Sequence, residues 1–345
     1  MRFKQSLCFD DVLLEPKYSS IESREQINLT TEFGQHKFKA PIISSPMDTI
    51  TESSMAISMA KHGGLGVIHR YNTIKQQCEM VLDIRDYYEQ TSNSSVNNIS
   101  AAVGVAGDLK ERAKFLFDSG VRIFCIDIAH GHHALMEKAV KYLKDKFGEE
   151  ISIIAGNVAT PDGFVALSYW GADAVRVGIG GGSICSTRIQ TGHGIPTFQS
   201  VIDCRDNADA AIIADGGIKT SGDIVKALAA GADFVMLGSI LAGTTETPGE
   251  IFQNNEGKRY KVYRGMASPE AQIAWRGNAR SLEGISTTVP YRGDVEKIIT
   301  DTLQNVKSGL SYSGARNIRE LQVKSSFIQQ STSGLHESRS HILSR

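Results

Sequence analysis

The feature that most constrains the fold is a regular alternation between short apolar runs typical of β-strands and segments with the period of an α-helix. Segments such as 109–119 and 134–147 are long enough to be crossover helices on a parallel sheet. The β-like runs number eight: 41–45, 65–69, 101–105, 123–127, 151–155, 174–178, 212–215 and 234–238. Eight alternations of this kind predict an α/β fold, the (β/α)8 TIM barrel.

Several segments do not follow this repeat. Residues 1–40 are expected to form an N-terminal arm with a hairpin, and the low-complexity stretch 90–98 a solvated connection, so no second domain is inserted there. Residues 249–293 are too long for an ordinary βα loop and are rich in Gly, Arg and Ser, which predicts a mobile flap that acts as a lid. The period of 294–307 predicts a final helix, and the polar tail 322–345 could reach a neighbouring subunit. The whole chain is therefore predicted to be a single TIM-barrel catalytic domain without an inserted regulatory domain.

Composition and charge narrow the class of function. Hydrophobic residues make up 41% of the chain, and no run approaches the roughly 18 apolar residues of a membrane span, so we expect a protein without a membrane partner. The first residues contain no apolar segment of the length of a secretory signal, and the five cysteines are odd in number and scattered, which favours a reducing, cytoplasmic setting. A net charge of −1 gives no general attraction for nucleic acid. Any bound phosphate should belong to a small ligand.

Polar residues are concentrated just after the predicted strands, where barrel enzymes carry their chemistry. Asp215-Gly-Gly217 and Gly238-Ser239 follow strands seven and eight, where barrels commonly bind phosphate through backbone N–H groups. A nucleotide phosphate is therefore expected. The other residues singled out just after the strands are Ser45, Met47, Asp48, His69, Arg70, Asp127, His130 and Asn157, together with the loop around Cys185.

The loop Gly178-Ile-Gly-Gly-Gly-Ser-Ile-Cys185-Ser-Thr187-Arg188 contains one candidate nucleophile. Its glycines allow positive φ angles and close approach of the backbone to a ligand, and hydroxyls flank the thiol. It is not a dinucleotide fingerprint, because Ser183 stands where a third glycine is needed, and no Gly-Lys-Ser/Thr follows for a P-loop. The residues alone favour covalent chemistry beside an anion and leave a structural thiol as the alternative.

The motif Gly-Ser-Ile-Cys185-Ser-Thr-Arg, with Ser-Pro-Met-Asp-Thr, Asp-Gly-Gly-Ile and Tyr263-Arg-Gly-Met266, resembles the IMP dehydrogenase/GMP reductase family nearly from end to end. The resemblance implies that Cys185 attacks C2 of a purine mononucleotide to form a thioimidate, while Thr187 and Glu283 handle protons at that carbon. A thiolate is a strong nucleophile, and a carboxylate relayed through a hydroxyl can serve a leaving group. The resemblance assigns these residues to the substrate: Ser45, Met47, Ser183, Asp215, Gly217, Gly238, Ser239, Tyr263, Gly265, Met266 and Arg280.

The same resemblance implies a nicotinamide cofactor, a monovalent cation and assembly into a homotetramer. Carbonyls of Gly180, Gly182 and Cys185 match a K+ site, which would also order the loop. Among the substrate positions, Asp215 would accept hydrogen bonds from the ribose hydroxyls. The residues that match the cofactor site are Ser23, Arg24, Arg70, Asp127, Ile128, Ala129, Asn157 and Gly178.

The family contains two activities, and the sequence favours NADPH-dependent reduction of GMP to IMP and ammonia. The dehydrogenases resembled here, which oxidise IMP to XMP with NAD, usually carry an inserted regulatory domain and an adjacent Arg-Tyr pair in the flap that activates water. Between Met266 and Glu283 no tyrosine occurs, and Arg276 is followed by Gly277. Arg280-Ser-Leu-Glu283-Gly284 and the Ser23-Arg24 pair also resemble the reductase.

Other motifs read more like the dehydrogenase, which stays open as the alternative. They are the stretch 241–250, Tyr263-Arg-Gly-Met266 and the tail segment 334–338, and Gly181 replaces a usual proline.

Several of these residues can also be explained by structural roles without any catalytic or binding function. Cys8, Cys78, Cys125 and Cys204 lie in or next to apolar runs and are assigned no chemistry. His130-Gly-His132-His133 has a spacing that could bind a metal, but no carboxylate or cysteine completes a ligand set, so hydrogen bonding within the loop is favoured. Glu283-Gly284 could cap a turn, and Ser23-Arg24 could be an exposed pair. A non-catalytic purine-nucleotide sensor is the alternative from another class.

Overall fold

The chain folds around a closed barrel of eight parallel strands. The computed structural model describes residues 4–91, 98–207, 209–279 and 282–338. Before the barrel lie β1 (Val12–Leu14) and an antiparallel hairpin of β2 (Thr31–Phe33) and β3 (His36–Phe38). The barrel strands are β4 Ile42–Ser44, β5 Leu65–Ile68, β6 Ser100–Val103, β7 Ile123–Asp127, β8 Ser152–Val158, β9 Ala174–Val177, β10 Ala211–Asp215 and β11 Phe234–Leu237.

The barrel closes where β11 pairs in parallel with β4, with Val235 opposite Ile42. Each of the eight predicted runs overlaps one of these strands, so the predicted (β/α)8 TIM barrel is confirmed. The helices up to β11 are α1 Ser53–Lys61, α2 Ile74–Gln90, α3 Leu109–Ser119, α4 Ala134–Phe147, α5 Pro161–Trp170, α6 Thr187–Thr191, α7 Thr197–Cys204 and α8 Ser221–Ala230. Most of the predicted connection 90–98 lies outside the described residues.

Side-chain alternation along the strands divides the core into two parts. Of two successive residues in a strand, one faces the surrounding helices and the other faces the barrel interior. In the interior, Ile43, Val67 and Ile154 are fully buried. The β2–β3 hairpin closes the amino-terminal end of the barrel with Phe33 and Phe38, whose ring centroids are 5.4 Å apart. The polar carboxyl-terminal end is thereby left as the open end.

Local sequence explains how the helices begin close to this open end. At α8, the Thr220 hydroxyl accepts the N–H of Asp223 at 3.2 Å, and the Asp223 carboxylate accepts the N–H of Thr220 at 3.0 Å. This reciprocal capping box satisfies N–H groups that would otherwise lack partners at a helix start. It fixes the direction in which the chain leaves the loop after β10.

The segment after β11 contains a small antiparallel sheet and a short helix rather than an irregular loop. The predicted flap, 249–293, includes β12 Phe252–Gln253, β13 Arg259–Arg264, α9 Pro269–Arg276 and β14 Ser286–Pro290. The predicted final helix is α10, which spans Val295–Tyr312. The elements that follow it are α11 Ile318–Lys324, β15 Phe327–Gln329 and α12 Thr332–Glu337.

Part of the polar tail packs on its own chain. Strand β15 pairs antiparallel with β1, so that Leu13 lies opposite Ile328. Contact of the tail with a neighbouring subunit stays a prediction, and residues 339–345 lie outside the described ranges. Within the described ranges no helix is both long and apolar enough to cross a membrane.

Candidate active site

The Cys185 loop has a shape that its glycines make possible. Gly178 has a φ of +144°, and a Cβ there would lie 2.0 Å from the carbonyl oxygen of Asp215. The side chain of Arg188 lies against Gly180 and donates to the carbonyl of Ile195 at 2.9 Å. The loop is therefore held closely against the end of β10, and larger residues at these glycines would displace it.

Cys185, Thr187 and Glu283 come together because the flap lies directly on this loop. The Cys185 thiol donates to Thr187 Oγ1 at 3.2 Å. The N–H of Ser186 donates to the Glu283 carbonyl at 3.0 Å, and Cys185 and Gly284 form a β-bridge. The three residues come from two separate segments and line one cavity. A nucleophile with a proton relay needs a thiol, a hydroxyl and a carboxylate in one site, which these residues can supply.

A buried ionic network joins three strand ends beside the loop. Arg176 donates from Nη1 to Asp127 Oδ1 at 2.8 Å and from Nη2 to Asp215 Oδ2 at 2.9 Å. Asn157 Nδ2 donates to the same Asp215 oxygen at 2.8 Å, and Arg70 Nε donates to Asp127 Oδ2 at 3.3 Å. Burial opposes ionisation of Asp127, but Arg176 and Arg70 outweigh it and lower the pKa of this carboxyl. The network therefore holds Asp127 as an ionised carboxylate at the open end of the barrel.

Strand alternation explains why these side chains meet. Asp127, Arg176 and Asp215 lie in β7, β9 and β10, each two residues after an interior-facing residue, which is Cys125, Ala174 or Ile213. The three polar side chains therefore form the uppermost interior layer.

A second group of side chains lies around Gly238, just after β11. A Cβ on Gly238 would lie 3.2 Å from the Tyr263 hydroxyl and 3.5 Å from both Met47 Sδ and Ser45 Oγ. The hydroxyls of Ser183 and Tyr263 are 3.4 Å apart, and burial raises the pKa of Tyr263. These neutral hydroxyls, with the backbone at the adjoining glycines, can donate hydrogen bonds to an anion.

Both groups line one cavity of about 390 Å³, a volume within the range of ligand pockets. All of the predicted site residues that the structure describes line it, except Ser23 and Arg24. Ser23 and Arg24 are exposed, on a 3-10 turn where the Ser23 hydroxyl accepts the N–H of Glu25 at 3.2 Å. Arg280 lies outside the described residues. The assigned roles of all these residues stay predictions.

Four side chains with polar groups line the cavity although the sequence analysis did not assign them to it. They are Tyr71, Arg176, Gln272 and Arg276. Arg176 had a signal, since it is one charged residue in an otherwise apolar strand. Tyr71 had only its position beside Arg70. Gln272 and Arg276 are four residues apart on α9, so they share a helix face, but nothing in the sequence relates that face to the barrel.

The structure also describes the cysteines and histidines to which no catalytic role was assigned. Burial raises the pKa of both Cys125 and Cys204 to about 12, as expected of inert thiols. The described residues contain no group of three or more His, Cys, Asp or Glu side chains that could hold a metal ion. His133 instead accepts the N–H of Leu135 at 3.0 Å and caps α4, which agrees with hydrogen bonding within the loop.

Comparison with known proteins agrees with the fold and with the family resemblance. The model of the IMP dehydrogenase / GMP reductase domain matches residues 6–341, and the chain belongs to this family. The chain is 35% identical to the inosine-5'-monophosphate dehydrogenase of Nitrosopumilus maritimus, with 99% of each chain covered. It is 36% identical to the GMP reductase of Vibrio atlanticus, with 95% of this chain and 96% of that protein covered.

A solved structure is similar over nearly the whole chain. It is a GMP reductase from Trypanosoma brucei in complex with guanosine 5'-monophosphate, with a TM-score of 0.92, 29% identity and 98% of each chain covered. The family resemblance is thus confirmed. The alignment with the Nitrosopumilus dehydrogenase extends over 473 positions, so that relative contains inserted residues that this chain of 345 residues lacks.

Proposed function

We propose that this oxidoreductase is a GMP reductase, which converts GMP to IMP and ammonia with NADPH. The observation that carries the proposal is the flap between Met266 and Glu283, which contains no tyrosine to complete the water-activating Arg-Tyr pair of the dehydrogenases. Hydrolysis of a thioimidate needs a base that is poised near the operating pH. Reduction of the same intermediate needs no activated water.

One specific observation favours the dehydrogenase as a second candidate. Tyr71 and Arg276 both line the cavity, so the site contains a tyrosine and an arginine although the two residues are not adjacent in sequence. Burial raises the pKa of the Tyr71 phenol, and Arg70 and Arg276 oppose this rise without reversing it. A phenol of raised pKa is a poor general base at neutral pH, which supports the reductase over the dehydrogenase.

The chemistry follows from the residues at the loop. The Cys185 sulfur forms a bond to C2 of GMP, and the 2-amino group leaves as ammonia with a proton from the Thr187 and Glu283 relay. The resulting thioimidate then accepts a hydride at C2 while the carbon–sulfur bond breaks, which gives IMP and regenerates the thiolate. NADPH supplies that hydride when it is bound. Similarity to the Trypanosoma reductase, which was solved with GMP, supports the choice of nucleotide.

Arg70, Asp127 and Asn157 fit a cofactor site next to that nucleotide. Within the described residues, Nε is the nitrogen through which Arg70 hydrogen-bonds to the protein, so its two Nη groups are available for an anion. A guanidinium is well suited to phosphate, which favours NADPH over NADH. Ser23 and Arg24 do not line the pocket of their own chain, so their part in cofactor binding would require another copy.

Gly180, Gly182 and Cys185 offer main-chain carbonyl oxygens, which are suitable donors for K+. The Gly182 carbonyl also accepts the Cys185 N–H at 3.1 Å, and its second lone pair remains. The donor chemistry therefore fits, although a hard cation usually takes more oxygens than three. A cation held there would order the loop. The homotetramer and the cytoplasmic location stay predictions.

Two absorbance assays test the proposal. The purified chain should oxidise NADPH in the presence of GMP and should turn over IMP with NAD poorly. Robust formation of XMP from IMP, without GMP-dependent loss of NADPH, would establish the dehydrogenase instead. A Cys185→Ala variant that retained full activity would exclude the thioimidate mechanism.

A further inference from the structure

The flap helix α9 is attached to the barrel by a stacked pair of aromatic rings. The rings of Trp275, on α9, and Tyr71, in the loop after β5, are 4.2 Å apart between centroids and 12° from parallel. The Arg70 guanidinium lies 5.2 Å from the Tyr71 centroid and 5.6 Å from that of Trp275. Arg276 lies 5.5 Å from the Trp275 centroid. Two rings and two cations thus form one cluster at the edge of the cavity.

The cluster contacts the last turn of α9, whereas local hydrogen bonds define its first turn. At the near end, the N–H of Ser268 donates to the Gly265 carbonyl at 2.9 Å, and the Ser268 hydroxyl caps Ala271. On the inner face of α9, Ala271 and Gln272 are buried, and Gln272 lines the cavity. The stack on Tyr71 therefore ties the last turn of α9 to the loop after β5.

We infer that Trp275 is a positioning residue that latches α9 closed over the reaction centre and so keeps water from the thioimidate on Cys185. The inference rests on the proposed function. A reductase has to hold its intermediate until hydride arrives, and a closed flap excludes the competing water. The loop that bears Tyr71 also bears Arg70, which contacts Asp127 through Nε, so the latch lies directly beside the proposed cofactor subsite.

Opening the latch has a defined chemical consequence. Water that reaches C2 adds to the thioimidate, the carbon–sulfur bond breaks, a proton returns to the Cys185 sulfur, and the product is XMP instead of IMP. No electron transfer occurs in this side reaction. Loss of a stacked aromatic pair should shift the equilibrium between the closed and the open flap by a factor of roughly 2 to 12 at room temperature. We therefore expect loss of the stack to raise the ratio of XMP to IMP about fivefold.

The first test measures this product ratio from GMP and NADPH by chromatography. Trp275→Leu should raise the XMP to IMP ratio about fivefold, whereas Trp275→Phe, which keeps a ring, should stay within twofold of the wild type. Trp170→Phe, at the other tryptophan of the chain, is the matched control and should leave the ratio unchanged. A Trp275→Leu enzyme with the wild-type ratio would overturn the inference.

The second test needs no turnover. In the Trp170→Phe background, Trp275 is the one remaining tryptophan, and acrylamide quenching of its fluorescence reports its exposure. Adding Tyr71→Leu should at least double the quenching constant, and an unchanged constant would refute the latch even if Trp275→Leu fails to fold. If the wild type makes no IMP from GMP, the proposed function fails, and the quenching experiment still decides whether the stack holds α9.

Discussion

Replacing Arg176 by methionine should destabilise the fold strongly and should also weaken the site. The Arg176 side chain is 9% exposed and donates hydrogen bonds to both Asp127 and Asp215. Methionine approximates the length of the side chain without its charge, so the variant leaves two carboxylates without their shared cation. The change tests whether the network is an organising element of the active site.

The expected magnitude follows from the partners that remain. Removing one member of a buried ion pair usually costs roughly 3–5 kcal/mol, because an uncompensated charge stays behind. Asp127 keeps Arg70 at 3.3 Å, and Asp215 keeps Asn157 at 2.8 Å. We therefore expect a loss near the lower end, about 3 kcal/mol of unfolding free energy.

Urea unfolding followed by circular dichroism at pH 7 measures this loss. Arg205→Met is the control, because the Arg205–Asp206 pair is exposed and should contribute at most about 1 kcal/mol. The folded-state pKa of Asp127 is lowered, so its ionised form stabilises the protein above the unfolded pKa of roughly 3.9, and this stabilisation is lost as the pH falls through the folded value. The difference between wild type and Arg176→Met should accordingly shrink as the pH falls below about 4. Equal losses for Arg176→Met and Arg205→Met would refute the reasoning.

Three further substitutions test individual roles at the site. Cys185→Ala should abolish turnover, and substantial residual turnover would contradict the covalent mechanism. Calorimetry should show a nucleotide affinity within about threefold of wild type, because the predicted phosphate and ribose contacts lie mainly on other loops. Glu283→Gln should lower kcat by about 100- to 10,000-fold with little change in KM, as expected for a lost proton relay; a raised KM with unchanged kcat would instead make Glu283 a binding residue. Arg70→Ala should raise KM for NADPH at least about tenfold more than KM for NADH, because a charged hydrogen bond to phosphate is lost; equal effects on both cofactors would remove the basis for NADPH.

Much of the site could be predicted from the sequence because strand periodicity is a local signal. Once eight strands are recognised, their carboxyl ends must converge, and residues such as Asp127 and Asp215 are brought together by the barrel itself. Arg176 could have been found by the same period of two, since it lies two residues after the interior-facing Ala174. A single charged side chain in an otherwise apolar strand is the signal that marks it.

The flap could not be predicted in the same way. The stacking of Trp275 on Tyr71 depends on tertiary packing between segments that share no periodic signal. Ser23 and Arg24 differ from the flap residues, because their motif is recognisable in the sequence. It matches the family's cofactor site, but it lies outside the pocket of its own chain. Local sequence describes the 3-10 turn there but does not report what an additional copy of the chain would place beside it.

Isotope labelling tests the central claim, that the Cys185 intermediate is reduced and not hydrolysed. The enzyme is supplied with NADPH and GMP that carries 15N in its 2-amino group, in water enriched in 18O, and the products are analysed by mass spectrometry. The account predicts one equivalent of 15N-ammonia for each IMP formed, with no 18O in the purine product. XMP with one 18O atom as the main product would contradict it.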